Sequence, residues 1–188
     1  EEVAIISLGG QADTDRAVAA ARAAFDDWAA RPMAERIGHL EALLEAYEAR
    51  ADAMAEAISL EMGAPIDLAR SSQQPAGTGH IQAAIAAAKQ FEPVRPLGPH
   101  APSDRILMDP IGVVGMITPW NWPMNQVTLK VAYAAAVGCT MVLKPSEIAP
   151  LSSIVFAECV EAAGWPRGVF NMVNGDGAGV GTQLSVHP

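Results

Sequence analysis

Three short segments in the second half of the chain combine polar side chains with residues that stiffen or open the backbone. The first is residues 117–123, in which Asn121 stands between two tryptophans and two prolines restrict the backbone. Such a turn could hold the Asn121 amide facing a cleft. The same amide could instead bond to the backbone of an ordinary turn, and the residues alone leave both interpretations open.

The second segment is residues 144–147, where Lys144 and Glu147 enclose a proline and Ser146 at the end of an apolar run. A lysine can donate hydrogen bonds to ribose hydroxyls or neutralise a phosphate, and a carboxylate can accept from the ribose 2′-OH and 3′-OH. Because that carboxylate would repel a 2′-phosphate, the pair favours NAD over NADP. An exposed ion pair of small energetic value is the alternative interpretation.

The third segment is the glycine-rich stretch 175–181. Glycines allow the backbone to approach a phosphate closely, and a following helix N-terminus supplies N–H donors. The spacing does not match the usual dinucleotide fingerprint, because the sixth position is Val180 when counted from Gly175 and Thr182 when counted from Gly177. The stretch is therefore weak evidence by itself.

These segments follow short apolar runs that predict β-strands, at residues 106–108, 113–117, 140–143 and 169–173. Helical patterns lie between the later runs, through Leu129 and Ala136 and again from about Pro150 to Gly164. Alternation of strands and helices predicts a parallel, doubly wound sheet. Ligands of such sheets bind beyond the carboxyl ends of the strands, which is where the three segments should lie.

The first half of the chain predicts helices. Asp13 is the predicted N-cap of the first one, Pro32 suits the first turn of the next, and Gly63 ends the last of this group. Residues 71–79 are rich in Ser, Gln and Gly and predict a surface loop. A further helix is predicted over residues 81–91, and four prolines in residues 93–102 then predict an extended connector.

Composition limits the class of protein. The chain has 188 residues, a length that suits one globular domain. Its net charge of -9 argues against nucleic-acid binding. Its longest apolar stretch, residues 131–143, is too short for a membrane span, and no signal peptide is visible. Cys139 and Cys159 predict buried structural thiols rather than a metal site or a disulfide, and a reducing cytoplasm is the expected compartment. Both chain ends suggest a segment of a longer polypeptide.

In this order, the segments resemble the aldehyde dehydrogenase superfamily. The matching stretches are residues 112–115 with 119–123, residues 138–147, and residues 163–166 with 168–171. The likeness extends over essentially the whole chain, including residues 61–63, and covers less than half of a typical family member. It implies an α/β fold with a helical N-terminal half and a Rossmann-like sheet, cut before the catalytic domain. Residues 1–91 would form a helical part of the cofactor-binding domain, 92–110 part of an oligomerisation hairpin, and 111–188 the NAD(P)-binding part.

The resemblance also implies a role for each residue of the three segments. Asn121 would donate its amide to the oxyanion formed when a thiolate attacks the aldehyde, with Lys130 supporting it from behind. The cofactor would be NAD in preference to NADP, bound by Ile117, Thr118, Pro119, Trp120, Lys144, Ser146, Glu147, Gly177, Ala178 and Gly181. The aldehyde tunnel would be lined by Trp122, Asn125, Gln126 and Leu129. No metal site is expected.

The implied reaction is oxidation of an aldehyde to a carboxylate through a thiohemiacetal, in a homodimer or homotetramer without a nucleic-acid or membrane partner. The family's nucleophilic Cys and its Glu base would lie beyond Pro188. Two alternatives stay open at this point. One is an acylating, coenzyme A-dependent semialdehyde dehydrogenase, and the other is a truncated or inactive homologue that binds a nucleotide or a partner without catalysis.

Overall fold

Helices make up the first half of the chain in the computed structural model, which describes residues 3–188. They are α1 (Gln11–Ala29), α2 (Met33–Ala49), α3 (Ala51–Met62), the short α4 (Ile66–Leu68) and α5 (Gln74–Gln90), with a π-helical stretch over Ala69–Gln73. Gly63 ends α3 as predicted, with a left-handed φ of 74° that suits glycine. Residues 1 and 2, at the start of the first predicted part, lie outside the described residues.

Two predictions about these helices were wrong. Asp13 is not the N-cap of α1, because the helix begins after Gly10 and the Asp13 carboxylate accepts a hydrogen bond from the Gly10 N–H at 2.8 Å. Residues 71–79 do not form a loop, because they continue the π-helical stretch into α5. Pro75 falls in the first turn of α5, directly after the π-helical stretch, and tertiary packing buries Gln73 and Gln74.

An antiparallel hairpin follows the helical half. Its strands are β1 (Val94–Pro96) and β2 (Arg105–Leu107), and Val94 pairs with Leu107. The predicted extended connector is thus one strand of the hairpin and the turn that joins it to the second. Val94 and Leu107 are both exposed, so this hairpin presents apolar side chains at the surface of the described chain.

The second half of the chain forms a parallel three-stranded sheet in the order β3 (Val113–Ile117), β4 (Thr140–Lys144), β5 (Phe170–Met172). Helices α6 (Pro123–Val137) and α7 (Leu151–Ala162) connect the strands. After β5, a π-helical stretch over Gly177–Gly181 leads into α8 (Thr182–Val186). Ile117 pairs with Lys144, and Leu143 pairs with Met172, so the carboxyl ends of all three strands meet at one edge.

Helices cover both faces of the sheet, as the alternating pattern predicted. Met141 and Leu143 of β4 face the larger core, which α2, α3, α5, α6 and α7 complete. Val142, between them, faces a smaller cluster made with α1 and Val180. A buried hydrogen bond from Thr140 Oγ1 to the Ala21 carbonyl, at 2.8 Å, fixes α1 against the start of β4. The rigid central strand therefore positions Lys144 at its end.

Candidate active site

The carboxyl edge of the sheet brings the second and third segments into direct contact. The Lys144 ammonium donates to Glu147 Oε2 at 3.0 Å and to the carbonyl oxygen of Gly175 at 2.7 Å. The backbone N–H of Thr118 donates to the Lys144 carbonyl at 3.2 Å, which places the first segment beside the second. The predicted meeting of these segments at one edge is confirmed.

Lys144 and Glu147 differ sharply in exposure. The Lys144 side chain is 3% exposed, whereas that of Glu147 is 43% exposed. Hydrogen bonds from the Glu147 backbone N–H and from the Lys144 ammonium lower the pKa of the Glu147 carboxyl below its usual range. The pair is therefore an anchored lysine that holds an ionised, accessible carboxylate, rather than two mobile surface charges.

The glycine-rich turn is shaped by contacts that only small residues permit. A Cβ on Gly175 would lie 2.3 Å from a Val180 methyl group, which leaves no room for a side chain. A Cβ on Gly181 would lie 3.8 Å from Lys144 Cδ, so this buried glycine packs against the lysine. Gly177 and Ala178 are exposed, and no heavy atom of the described residues lies within 4 Å of a Cβ on Gly177. The backbone at Gly177 is open to a ligand.

The first segment presents an accessible surface beside this edge. Ile117 and Trp120 are 45% and 46% exposed, Pro119 and Asn121 are also exposed, and Thr118 is buried. Within residues 3–188, the Asn121 amide makes no hydrogen bond, so the alternative of an Asn that bonds the local backbone finds no support in the geometry. The two polar residues of this edge nearest the sheet, Lys144 and Thr118, are both buried.

Three of the residues predicted to line the substrate tunnel, Asn125, Gln126 and Leu129, lie on the first two turns of α6, and the fourth, Trp122, is the N-cap of this helix. Asn125 Oδ1 is 2.8 Å from Nε2 of His80 on α5. The Lys130 ammonium donates to the Gln126 carbonyl at 3.2 Å and to Gln126 Oε1 at 3.1 Å. Trp122 is partly buried and Leu129 is 41% exposed. Because Lys130 bonds to Gln126 in this structure, its support of Asn121 stays a prediction.

Sequence reasoning missed two residues near these segments. His80 lies between the predicted loop and the predicted helix, and the observed α5, which begins at Gln74, brings it to Asn125. Glu61 on α3 accepts hydrogen bonds from the backbone N–H groups of Leu151 and Ser152 at the start of α7. Glu61 and Glu147 line the same cavity of about 180 Å³. In the sequence, Glu61 belongs to a stretch that resembles the family, and no local pattern indicates its contact with α7.

The two cysteines lack the properties of a nucleophile. Cys139 and Cys159 are both free and buried, as predicted. Burial raises the pKa of Cys159, an effect that Arg50 opposes only in part. Over residues 3–188, no set of three His, Cys, Asp or Glu side chains could hold a metal ion together. No helix in that range has both the length and the apolar character to cross a membrane.

A cavity of about 440 Å³ between α1 and β5 is lined by none of the predicted site residues. The sheet edge itself still has features that suit a nucleotide. A lysine ammonium has three donors, and two of those on Lys144 are occupied, which leaves one for a ribose hydroxyl. Glu147 can accept from a second hydroxyl, and the open backbone at Gly177 permits close approach.

Comparison with known proteins places this geometry in context. The family model described as "Aldehyde dehydrogenase family" matches residues 1–188. A 3-succinoylsemialdehyde-pyridine dehydrogenase from a Pseudomonas species is 49% identical over 187 residues, which are 99% of this chain and 38% of that protein. The crystal structure of an aldehyde dehydrogenase from Bartonella henselae is 54% identical and superimposes with a TM-score of 0.98, covering 100% of this chain and 40% of that one.

A mutant aldehyde dehydrogenase C from Pseudomonas syringae, solved in complex with NAD+ and octanal, is 46% identical with a TM-score of 0.96. The match covers 100% of this chain and 38% of that one. The chain thus spans about two fifths of the length of these relatives. It corresponds to their N-terminal part. A fold match of this quality, together with a family model that covers every residue, shows that the chain belongs to the aldehyde dehydrogenase family.

Proposed function

We propose that the full-length protein oxidises an aldehyde to a carboxylate with NAD as the acceptor, and that this part of it binds the cofactor and stabilises the reacting oxygen. The observation that carries the proposal is the buried Lys144, which joins the end of β4 to the Gly175 turn and holds the Glu147 carboxylate in an accessible position. This arrangement lies at the edge of a parallel sheet where ligands bind.

The adenosine ribose would lie on Lys144 and Glu147. Ser146 is buried in the same turn, and its Oγ accepts from the Ile148 N–H at 3.2 Å, which keeps the turn closed. Gly177, Ala178 and Gly181 would lie against the adenosine and pyrophosphate, and residues 117–120 would line the cleft on the other side. NAD is favoured over NADP because a 2′-phosphate would meet the ionised Glu147. The NAD+ complex of the Pseudomonas syringae relative supports a nicotinamide cofactor.

Asn121 would act on the substrate. In the proposed reaction, a Cys thiolate from outside this segment adds to the aldehyde carbon, and the carbonyl oxygen gains negative charge. The exposed Asn121 amide, free of protein partners over residues 3–188, is available to donate a hydrogen bond to that oxygen. The cofactor supplies the hydride acceptor. Loss of hydride leaves a thioester, which water hydrolyses to release the acid and the thiol.

The same proposal assigns the remaining surfaces. Trp122, Asn125, Gln126 and Leu129 would line the aldehyde tunnel, and Lys130 would support Asn121. The hairpin of β1 and β2, with its exposed Val94 and Leu107, would join protomers into a homodimer or homotetramer. The cytoplasm is the proposed location, because two free, buried thiols suit a reducing compartment.

The test is NADH formation by the full-length protein with short, aromatic and semialdehyde substrates, with and without coenzyme A. Wild type should reduce NAD, and Asn121→Ala should lower kcat by about 10²–10³-fold, the effect of losing an oxyanion donor. Its affinity for NAD should be unchanged, which separates catalysis from folding. Turnover that requires coenzyme A would assign the acylating reaction instead. A protein that binds NAD but oxidises none of the aldehydes would be the inactive homologue.

A further inference from the structure

Two amide side chains at the start of α6 have their oxygen atoms held by donors of the protein. Asn125 Oδ1 lies 2.8 Å from His80 Nε2, and Gln126 Oε1 lies 3.1 Å from the Lys130 ammonium. The residues are neighbours in sequence, and both are partly buried. The orientation of each amide is therefore set by a specific partner rather than by solvent.

The chemistry of the lysine fixes which end of Gln126 it bonds, and the tautomer of the histidine decides the same for Asn125. An ammonium group has donors and no acceptor, so it can bond only to the oxygen of Gln126. The structure places the Asn125 oxygen against Nε2 of His80, and this contact is a hydrogen bond in the tautomer that carries the proton on Nε2. His80 is the donor in that tautomer, on which the inference below is built.

The NH₂ groups of Asn125 and Gln126 are left without a protein partner among the described residues. Over residues 3–188, neither Asn125 Nδ2 nor Gln126 Nε2 donates a hydrogen bond. Leu129 lies four residues beyond Asn125 and thus on the same face of α6, and it is exposed. This face therefore carries two NH₂ groups without a protein acceptor among the described residues, beside an exposed leucine, whereas both amide oxygens have protein partners.

We infer that this face selects aldehydes that carry a hydrogen-bond acceptor away from the aldehyde group, such as a ketone, a carboxylate or a ring nitrogen, and that His80 is the residue that positions Asn125 for it. The inference rests on the proposed function, which places α6 along the substrate tunnel. A purely hydrocarbon aldehyde would strip water from the two NH₂ groups without replacing their hydrogen bonds, and this cost lowers its kcat/KM. A cationic or donor-only substrate would be rejected for the same reason.

His80 matters because an amide without a fixed partner can rotate and present either end. Removing the donor at His80 would let Asn125 offer its oxygen or its nitrogen, and selectivity for acceptors would fall. The His80→Gln variant keeps an N–H donor close to the position of Nε2, so it should preserve the orientation. His80→Leu removes the donor while keeping an apolar side chain of moderate size.

The experiment compares two aldehydes of nearly the same shape on the full-length protein: 4-oxopentanal, which has a ketone oxygen, and 4-methylpentanal, which has a methyl group there. Wild type should favour the ketone by about tenfold in kcat/KM, the order of one or two net hydrogen bonds. His80→Leu should bring this ratio to within about twofold of unity, and His80→Gln should restore it to near the wild-type value. Asn125→Leu, a second variant, should also lose the preference.

Three results would overturn the inference. A wild-type ratio at or below unity removes the acceptor selectivity, and an unchanged ratio in His80→Leu removes the positioning role. Equal losses in His80→Leu and His80→Gln would show that His80 acts through packing alone. These outcomes are distinct from failure of the proposed function, which would appear as the absence of NADH from every aldehyde with the wild-type protein and would remove the inference with it.

Discussion

The Lys144 ammonium lies 2.7 Å from the carbonyl oxygen of Gly175, so one buried side chain joins the end of β4 to the turn that follows β5. The same ammonium holds Glu147 at 3.0 Å. Because the lysine is 3% exposed, its geometry is set by the packing of Gly181 and the central strand rather than by solvent. The shape of the proposed ribose site thus depends on a single cation.

Replacing Lys144 by Met should weaken the binding of NAD. The variant loses one hydrogen bond to the ribose, leaves the Gly175 carbonyl unpaired and frees Glu147 to move. We expect the Kd for NAD, measured by calorimetry on the full-length protein, to rise about 10- to 100-fold, as for the loss of a charged hydrogen bond. Lys89→Met is the control, since Lys89 is 56% exposed and, within residues 3–188, pairs only with Glu41. Unchanged NAD affinity in Lys144→Met would contradict the ribose assignment.

Glu147 should decide between the two nicotinamide cofactors. Glu147→Gln removes the negative charge that a 2′-phosphate would meet, so the ratio of kcat/KM for NADP to that for NAD should rise by about tenfold. Hydrogen bonds from its own backbone N–H and from Lys144 lower the pKa of Glu147, so the carboxylate stays ionised at neutral and higher pH. Because the 2′-phosphate of NADP loses its second proton near pH 6, the wild-type preference should be constant only above about pH 7. Glu158→Gln, on the exposed surface of α7, is the matched control. A cofactor ratio that is the same in all three proteins would show that selectivity comes from elsewhere.

The strands of the sheet were predictable because each is a short apolar run that ends at a polar turn. The helical structure of residues 71–79 was not predictable, because their Ser, Gln and Gly content favours a loop. In the structure, Tyr47 donates a hydrogen bond to the Gln74 carbonyl at 3.0 Å, and Gly77 packs against the Tyr47 ring. Contacts with a helix far away in sequence therefore override the local preference.

The sequence was enough to predict which segments form the site, but not which residues contact each other within it. Spacing showed that Lys144 and Glu147 belong to one turn, yet nothing in the sequence pairs Lys144 with Gly175, 31 residues later. The contact between His80 and Asn125 spans 45 residues and depends on how α5 packs against α6. Such contacts arise from the tertiary arrangement, which residue spacing does not encode.

Glu61 should stabilise the start of α7. Pro150 precedes this helix and offers no side-chain acceptor, so the Glu61 carboxylate accepts from the Leu151 and Ser152 N–H groups in its place. Glu61→Ala should lower the free energy of unfolding by about 1–3 kcal/mol, because two donors lose their partner. Glu61→Gln keeps an amide oxygen and should cost less. The Tm of each variant is measured by a thermal scan. Glu56→Ala, which changes an exposed residue on the same helix, is the control.

The stability that depends on Glu61 should also vary with pH. Burial raises the pKa of Glu61 above its usual value of 4.5, although the two N–H donors oppose this. The folded protein therefore holds the Glu61 proton more tightly than the unfolded chain, and stability falls as pH rises from about 4.5 through the raised pKa. Across that window, the Tm of the wild type should drop relative to that of Glu61→Gln. A constant difference between the two would show that Glu61 ionises without cost in the folded state.

Two glycines on α5 provide a matched test of helix packing. A Cβ on Gly77 would lie 2.2 Å from the Tyr47 hydroxyl oxygen, whereas nothing in the described chain lies within 4 Å of a Cβ on Gly79. Gly77→Ala should therefore lower the free energy of unfolding by about 1–3 kcal/mol through overpacking. Gly79→Ala should be neutral or raise it by up to about 1 kcal/mol, since alanine favours helix.

Tyr47→Phe makes the packing test specific, because it removes the oxygen that the new methyl group would meet first. Combined with Gly77→Ala, it should recover only part of the loss, since the ring carbon Cζ would still lie 2.6 Å from the added Cβ. The hydrogen bond to the Gln74 carbonyl is lost in the same variant, so the single Tyr47→Phe change must be measured beside the pair. If the free energies of unfolding lost in Gly77→Ala and in Tyr47→Phe simply add in the double variant, the two positions do not interact. That result would show that α5 shifts away from α2 to accept the methyl group, and that Gly77 is not needed for the close contact.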